Sequence, residues 1–330
     1  MPISKLRRVA VSIVGLLGLS IGLSAAAEPS AATYPNGVIT FVVGATPGGA
    51  TDIVARVVGK QLSKAWGVPV VVVNRAGAGG EIGAAYVAAA KPDGQTVLVA
   101  PSAFGVLSGL SNSLPYDSLR DFAGVSLMAR TPSFLVTPAT RGIKTIAQLQ
   151  AYAKTKPAGL IYGSAGTGST GHLHALLVAT GGGFKGEHAP YRGTPEAVND
   201  VVAGRIDYAF SPGPNALPFA KDGKLTIIAT TSTLGDQFAP GVQTLEQAGV
   251  TGDPGDDWYG ALVPAKTPKD IRVKLSSEIA RIMTLPEVRT SLTAIGGEAV
   301  SSTPDEFDAM LKQYITNVRT LGHTYGIQLQ

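Results

Sequence analysis

Two stretches of the chain carry residue types that could do chemistry. Thr46-Pro47-Gly48-Gly49-Ala50-Thr51-Asp52 lies between an apolar run and a helical one, and so does Ser164-Ala165-Gly166-Thr167-Gly168-Ser169-Thr170-Gly171. Glycine at a strand-to-helix turn lets a bound group come close to the main chain. The helix opening behind it offers unpaired N–H groups and a partial positive charge, which suit an anion. The serine and threonine hydroxyls of the second stretch are donors that a carboxylate accepts. Alone, either stretch reads equally well as a plain capped turn, with Thr51 or Asp52 as the cap in the first. Facing each other, the two would grip an anion from both sides without any Arg or Lys.

Other chemistries fail on inspection. Gly166-x-Gly168-x-x-Gly171 matches a dinucleotide fingerprint, but the acidic residue expected after the next strand is missing, since Tyr191-Arg192-Gly193-Thr194 stands there. There is no phosphate loop, and outside the N-terminal apolar run, which holds Gly18-Leu19-Ser20-Ile21-Gly22, there is no G-x-S-x-G elbow. The four histidines are His172, His174, His188 and His323. His172 and His174 would point ~200° apart on a helix and could not share a metal. With no cysteine in the chain, neither a disulfide nor a thiolate metal site is possible, and no metal or cofactor is expected. A hydrolase using Ser164 or Ser169 would have only His172 or His188 as base, without a recognisable triad; no catalytic residue is expected. Asp256-Asp257 reads as a solvated turn pair before a strand, and Asp207 as a strand-start residue that caps or pairs locally.

The elements that must position these loops follow from hydrophobic spacing. Residues 38–43, 68–73 and 96–100 read as buried strands, with helices over 51–66 and 81–90 between them, a β-α-β-α-β pattern that implies a parallel sheet. The theme repeats over 133–230, with strands at 133–136, 160–163, 187–190, 206–210 and 225–230 and helices at 145–154, 170–180, 194–204 and 215–221. A helix near 242–248, a strand at 258–263 and helices near 268–284, 286–295 and 304–321 follow. Pro268 and Pro304 suit helix first turns. No long linker separates the halves. An α/β chain of two lobes is expected, joined by crossover segments, the first near 122–131 and the return between 225 and 258. Ligands in such sheets sit beyond the carboxyl ends of the strands, where both glycine loops fall.

The N-terminus reads as a leader. Lys5, Arg7 and Arg8 precede an apolar run over 9–23, and Ala25-Ala26-Ala27 supplies small residues for cleavage. The apolar run is short and glycine-rich for a membrane span. The formal net charge of +4 includes the three leader cations, so no basic patch points to nucleic acid. The chain is 45% apolar and 15% charged with 41 glycines, which fall at turns, as in α/β folds. The expected division is a signal peptide over 1–27, a first lobe over 34–125 and 231–330, and a second lobe over 126–230.

The motifs also resemble a known family. Pro47-Gly48-Gly49-x-x-Asp52-x-x-Ala55-Arg56 is followed by Asn74-Arg75-x-Gly77-Ala78-Gly79-Gly80 and Lys91-Pro92-Asp93-Gly94. Tyr162-Gly163-Ser164-x-Gly166-x-Gly168-x-x-x-His172, Pro190-Tyr191-Arg192-Gly193, Val202-x-Gly204-x-Ile206-Asp207 and Trp258-Tyr259-Gly260-x-x-x-Pro264 complete the order. This resembles the Bug family, extracytoplasmic receptors of tripartite tricarboxylate transporters. The resemblance implies a two-lobed periplasmic binding protein fold of type II character, in which two parallel or mixed sheets flanked by helices close on a small organic acid or amide, such as a di- or tricarboxylate or an acidic amino acid. It further implies a periplasmic monomer whose partners are the membrane subunits of the transporter. A sensor presenting solute to a two-component system has the same binding chemistry and stays open as an alternative.

Carried over from the family, the ligand residues are Pro47, Gly48, Gly49 and Asp52, to which this chain adds the Thr46 hydroxyl, with Ser102 and Ala103 after the third strand facing the cleft. In the second lobe they are Ser164, Gly166, Gly168, Ser169 and His172, then Tyr191, Gly193 and Thr194 on the next loop, and Asp207 at the rim. Phe104, Tyr191 and Trp258 are candidate wall residues. Ala45 and Thr46 stand where the family often has a proline or aromatic, which affects the distal part of the ligand more than the carboxylate grip.

Overall fold

The computed structural model describes residues 30–252, 255–327 and 329; the leader expected over 1–27 lies outside the described residues. The chain opens with β1 (Ile39–Val43), α1 (Ala50–Trp66), β2 (Val70–Asn74), α2 (Glu81–Ala88) and β3 (Thr96–Pro101). β1 pairs in parallel with both β2 and β3. Val54, Ala55, Val58 and Leu62 form the buried stripe of α1, one residue per turn or so, as a helix laid on a sheet requires. Gly67 ends α1 in the left-handed region at φ 68°, its N–H bonded to the Ser63 carbonyl.

α3 (Ser102–Leu110) follows β3 directly. The sequence gives it little amphipathic pattern, because both faces are covered. Gly105 lets α10 (Pro304–Tyr325) approach: a Cβ there would lie 2.5 Å from the Tyr314 ring. α10 itself starts at a capping box between Thr303 and Glu306.

β4 (Phe122–Thr131) lies wholly in the first sheet and β5 (Ser133–Pro138) in the second, so the chain changes lobe at Pro132. The second lobe continues through α4 (Ile146–Lys154), β6 (Leu160–Ser164), α5 (Thr170–Gly181), β7 (Gly186–Pro190), α6 (Thr194–Val202), β8 (Tyr208–Pro212), α7 (Gly213–Lys221) and β9 (Leu225–Thr230). The segment expected as a helix near 242–248 is a series of turns. Thr230 donates its N–H to the Gln243 carbonyl, and Leu245 donates to that of Thr230, so this segment remains attached to the second sheet. β10 (Asp257–Pro264) returns to the first sheet, and α8 (Lys269–Met283), α9 (Pro286–Thr293) and β11 (Glu298–Ala299) complete that lobe with α10.

The first sheet runs β11-β4-β10-β3-β1-β2 and the second β7-β6-β8-β5-β9. Each is mixed. β10 is antiparallel to β3 and β4; β6 is parallel to β7 and β8, while β5 is antiparallel to β8 and β9. The architecture is the expected two-lobed α/β arrangement. One apolar cluster runs between the lobes, joining Leu98, Phe104 and Leu110 of the first to Leu135, Leu173 and Phe210 of the second. Among the described residues no helix is long and apolar enough to cross a membrane.

Candidate functional site

The loop from β1 to α1 is set by an acidic side chain behind it. Gly48 takes the left-handed conformation, φ 84°, and donates its N–H to Asp52 Oδ2 at 3.0 Å. Asp52, 2% exposed, also receives Arg56 Nε at 2.8 Å, Arg56 Nη2 at 2.9 Å and Asn74 Nδ2 at 2.9 Å. Asn74 Nδ2 in turn donates to the Ala45 carbonyl at 3.1 Å. The Arg56 hydrogen bonds, helped by those from Gly48 and Asn74, hold the Asp52 carboxyl down to about 2, against the opposing effect of burial. Asp52 thus fixes the turn, and the first N–H groups of α1 remain free of side-chain caps.

The loop from β6 to α5 has the same form. Gly168 stands at φ 81° and donates its N–H to His172 Nδ1 at 3.2 Å. Ser169 is the N-cap, accepting the His172 N–H at 3.2 Å. Ser164 Oγ lies 3.0 Å from the Gly166 carbonyl and 2.7 Å from His188 Nε2. The His172 and His188 rings stack at 4.0 Å. Burial, and then the His188 ring, push the His172 pKa down to about 4, so Nδ1 is unprotonated and able to accept from Gly168.

These loops meet. A cavity of about 420 Å³ between the lobes is lined by Gly48, Gly49 and Thr51 from the start of α1 and by Ser169, Thr170 and Gly171 from the start of α5. Three more helix starts reach it through Ser102, Thr194 and Asn215. Those of α6 and α7 carry Pro195 and Pro214, which lack an N–H, so the α1, α3 and α5 openings hold more of the main-chain donors. Asp257 also lines this cavity, accepting Ser102 Oγ at 2.6 Å and Ser133 Oγ at 3.0 Å. A second chamber of about 390 Å³ adjoins it through Pro101, Ala103, Ala165 and Ser169. Its walls are more apolar, with Leu98, Phe104, Leu107 and Tyr116, and Arg192 lies at its lining.

The chain that forms this cleft matches a family model in its sequence. The model described as "Tripartite tricarboxylate transporter family receptor" aligns with residues 54–322. The chain belongs to this family. A relative from Pseudomonas sp. (strain P51), "UPF0065 protein in tcbD-tcbE intergenic region", is 35% identical over 84% of this chain and 83% of its own length. "Protein BugT" of Bordetella pertussis is 32% identical over 89% of this chain and 91% of its own. Among solved structures, a Rhodopseudomonas palustris protein with adipate has a TM-score of 0.78 at 29% identity, covering 89% of this chain and 99% of its own. The periplasmic binding protein BugD gives 0.77 at 27%, over 90% and 100%. MatC from Rhodopseudomonas palustris with bound malate gives 0.76 at 28%, over 87% and 99%.

The fold of this family member sorts the residues that the sequence singles out. Gly48, Gly49, Ser102, Ala103, Ser169 and Thr194 line the first chamber, and Thr46 and Gly168 the second. Pro47 lines neither. Asp52, Ser164, Gly166 and His172 stand behind the loops as their supports. Gly193 is the N-cap of α6, one residue short of the cavity, and Tyr191 turns away to donate its hydroxyl to Asp200 Oδ2 at 2.7 Å. Asp207 is at the far end of the second sheet: it accepts the Ile161 N–H at 2.7 Å and pairs with Arg141. Of the candidate wall residues, Phe104 lines the second chamber, while Trp258 is packed edge-on against Phe307 and Tyr314.

Other residues shape the cleft as well. Asp257 is 9% exposed and hydrogen-bonded within the cleft, where a solvated turn was expected. Gly77, Gly79 and Gly80 line the second chamber with Leu107, Tyr116 and Arg192. The Asn74–Gly80 motif was a usable signal for the glycines; Leu107 and Tyr116 carry none.

Proposed function

We propose that this receptor captures a small carboxylate-bearing solute outside the cytoplasmic membrane, as a monomer, and delivers it to a tripartite tricarboxylate-type transporter. The observation that carries this is the meeting of the Gly48–Thr51 and Ser169–Gly171 helix openings, one from each lobe, on a single cavity. A carboxylate placed there accepts main-chain N–H groups from both lobes and so favours their closed arrangement. A hydrogen bond to a charged group contributes about 1.5–3 kcal/mol. Three or four, less the ordering cost of closure, suit capture near the micromolar range, about −8 kcal/mol. The adipate and malate in the two Rhodopseudomonas palustris structures support the ligand class, and the leader pattern over 1–27 supports export.

Catalysis is no part of this proposal. The Ser164 hydroxyl does lie beside His188 Nε2, but Ser164 is 1% exposed and lines neither chamber. Its contacts tie the Gly166 turn together. A calorimetric screen of the purified protein with mono-, di- and tricarboxylates tests the proposal. An acid present at 100 times its dissociation constant adds about 2.7 kcal/mol to unfolding. Stability unmoved by every acid, with turnover of a simple ester, would overturn it. Delivery is read separately, as loss of uptake of the bound acid by cells lacking the receptor.

A further inference from the structure

Asp257 is out of place in a site for anions. It lies at the first residue of β10, where the chain re-enters the first lobe, and its carboxylate lines the main chamber. Oδ1 accepts from Ser102, at the start of α3, and Oδ2 from Ser133, the first residue of the second lobe's β5. An ionised carboxylate has about four acceptor positions, so these two hydroxyls leave about half of them open. Among the described residues no Lys, Arg or His lines this chamber. Among the described residues no ion pair involves Asp257. Arg130, on the neighbouring strand β4, is exposed and acts on Asp256, whose own oxygens are held by Thr231 and Ser232 at 2.8 and 2.7 Å.

A charge enclosed without a counter-charge is costly, and the cost rises as water is expelled. Closure of the lobes over a ligand does that. A solute with only carboxylates brings a further negative charge into the same chamber. A solute that also carries a protonated nitrogen supplies both the missing donors and the missing charge. We propose that Asp257 is a specificity-determining residue that selects an amino-bearing carboxylic acid, the carboxylate going to the α1 and α5 openings and the ammonium to Asp257. This rests on the receptor reading above and narrows its substrate class.

The test uses matched pairs: α- and ω-amino acids of two to six carbons, each against the unsubstituted acid of the same length, titrated calorimetrically into the wild-type receptor. The expected result is that one or more amino acids bind at least about tenfold tighter than the parent acid. Asp257→Asn, which keeps the shape and removes the charge, is expected to abolish that preference, read as the ratio of amino-acid to parent-acid affinity within the variant. Unsubstituted acids binding as well as their amino partners across the panel would overturn the proposal and leave the receptor reading standing. So would a preference that survives in a folded Asp257→Asn. The wild-type comparison decides even where the variant does not fold. Absence of binding by every acid of either kind overturns this proposal, and the receptor reading falls with it only where the mono-, di- and tricarboxylate screen is blank as well.

Discussion

Asp52 in one lobe and His172 in the other hold equivalent places: each accepts the backbone N–H of the glycine four residues before it, Gly48 at 3.0 Å and Gly168 at 3.2 Å. The two glycines share a left-handed φ, 84° and 81°, and the residues after them, Gly49 and Ser169, are extended at −73° and −70°. The lobes therefore present the same turn to the cleft, built with different chemistry. One support is a carboxylate neutralised by Arg56; the other is an imidazole kept neutral by burial. Neither places an uncompensated charge behind the anion-facing amides.

The Asp52 support makes an acid-range prediction. Its folded carboxyl lies near 2 against an ordinary 3.8, so the unfolded chain binds the proton more readily between those values. Stability from this group is complete above about pH 4 and is lost as pH falls towards 2. Asp52→Asn is expected to lower stability at neutral pH and to flatten this acid arm, as followed by urea unfolding across that range. An unchanged arm would show that Arg56 and Asn74 do not depend on the charge.

The His172 support predicts sensitivity in a milder range. Its folded pKa is about 4 against 6.5, so protons favour the unfolded chain between these values. Its contribution is complete above about pH 6.5 and lost by about pH 4. His172→Phe keeps a ring on His188 but leaves the Gly168 N–H without its acceptor, at a cost of about 1–3 kcal/mol at neutral pH. The gap between variant and wild type should narrow on acidification towards pH 4. Urea titrations at neutral pH and near pH 4 measure it, and a constant gap would mean that the Gly168 bond contributes nothing.

The two loops were legible in the sequence because their residue types are local signals: glycines at a junction, then a hydroxyl, then a helix. The parallel start of the first sheet was legible for a similar reason, since β1, β2 and β3 are continuous apolar runs. The supports behind the loops were not distinguishable from ligand residues, because Asp52 and His172 sit one turn into their helices and only the fold shows which way they face. α3 has no counterpart in the sequence reading: Gly105 and Gly109 weaken its helical pattern, and both accommodate α10 through Tyr314 and Val318. Asp257 was hidden most thoroughly: its partners Ser102 and Ser133 are 155 and 124 residues away, and nothing in Gly255-Asp256-Asp257-Trp258 announces them.

Gly49→Val tests the binding surface apart from the fold. Gly49 has an ordinary φ of −73°, and a Cβ there would meet only the Thr46 carbonyl at 3.6 Å, so the backbone tolerates a side chain. The added methyls would lie over the opening of α1 and keep a carboxylate off its amides. The variant is expected to unfold within about 1 kcal/mol of the wild type and to lose ligand affinity by about a hundredfold or more. Retained affinity in a folded Gly49→Val would place the ligand elsewhere in the cleft.

Ala103 lines both chambers, so its side chain controls how far a ligand can extend from the first, polar chamber into the second, apolar one. Short acids need only the first, whereas a longer chain gains by burying methylenes against Phe104, Leu107 and Tyr116, about 0.8 kcal/mol for each CH₂. Ala103→Leu, in the first turn of a helix with a half-buried side chain, narrows the passage without removing a hydrogen bond. It should leave the affinity for acids of up to four carbons nearly unchanged and weaken acids of six or more by about tenfold. Calorimetric titration of one acid series into both proteins separates the outcomes: equal losses at every length would mean that Ala103 borders the carboxylate itself and that the second chamber takes no part of the ligand.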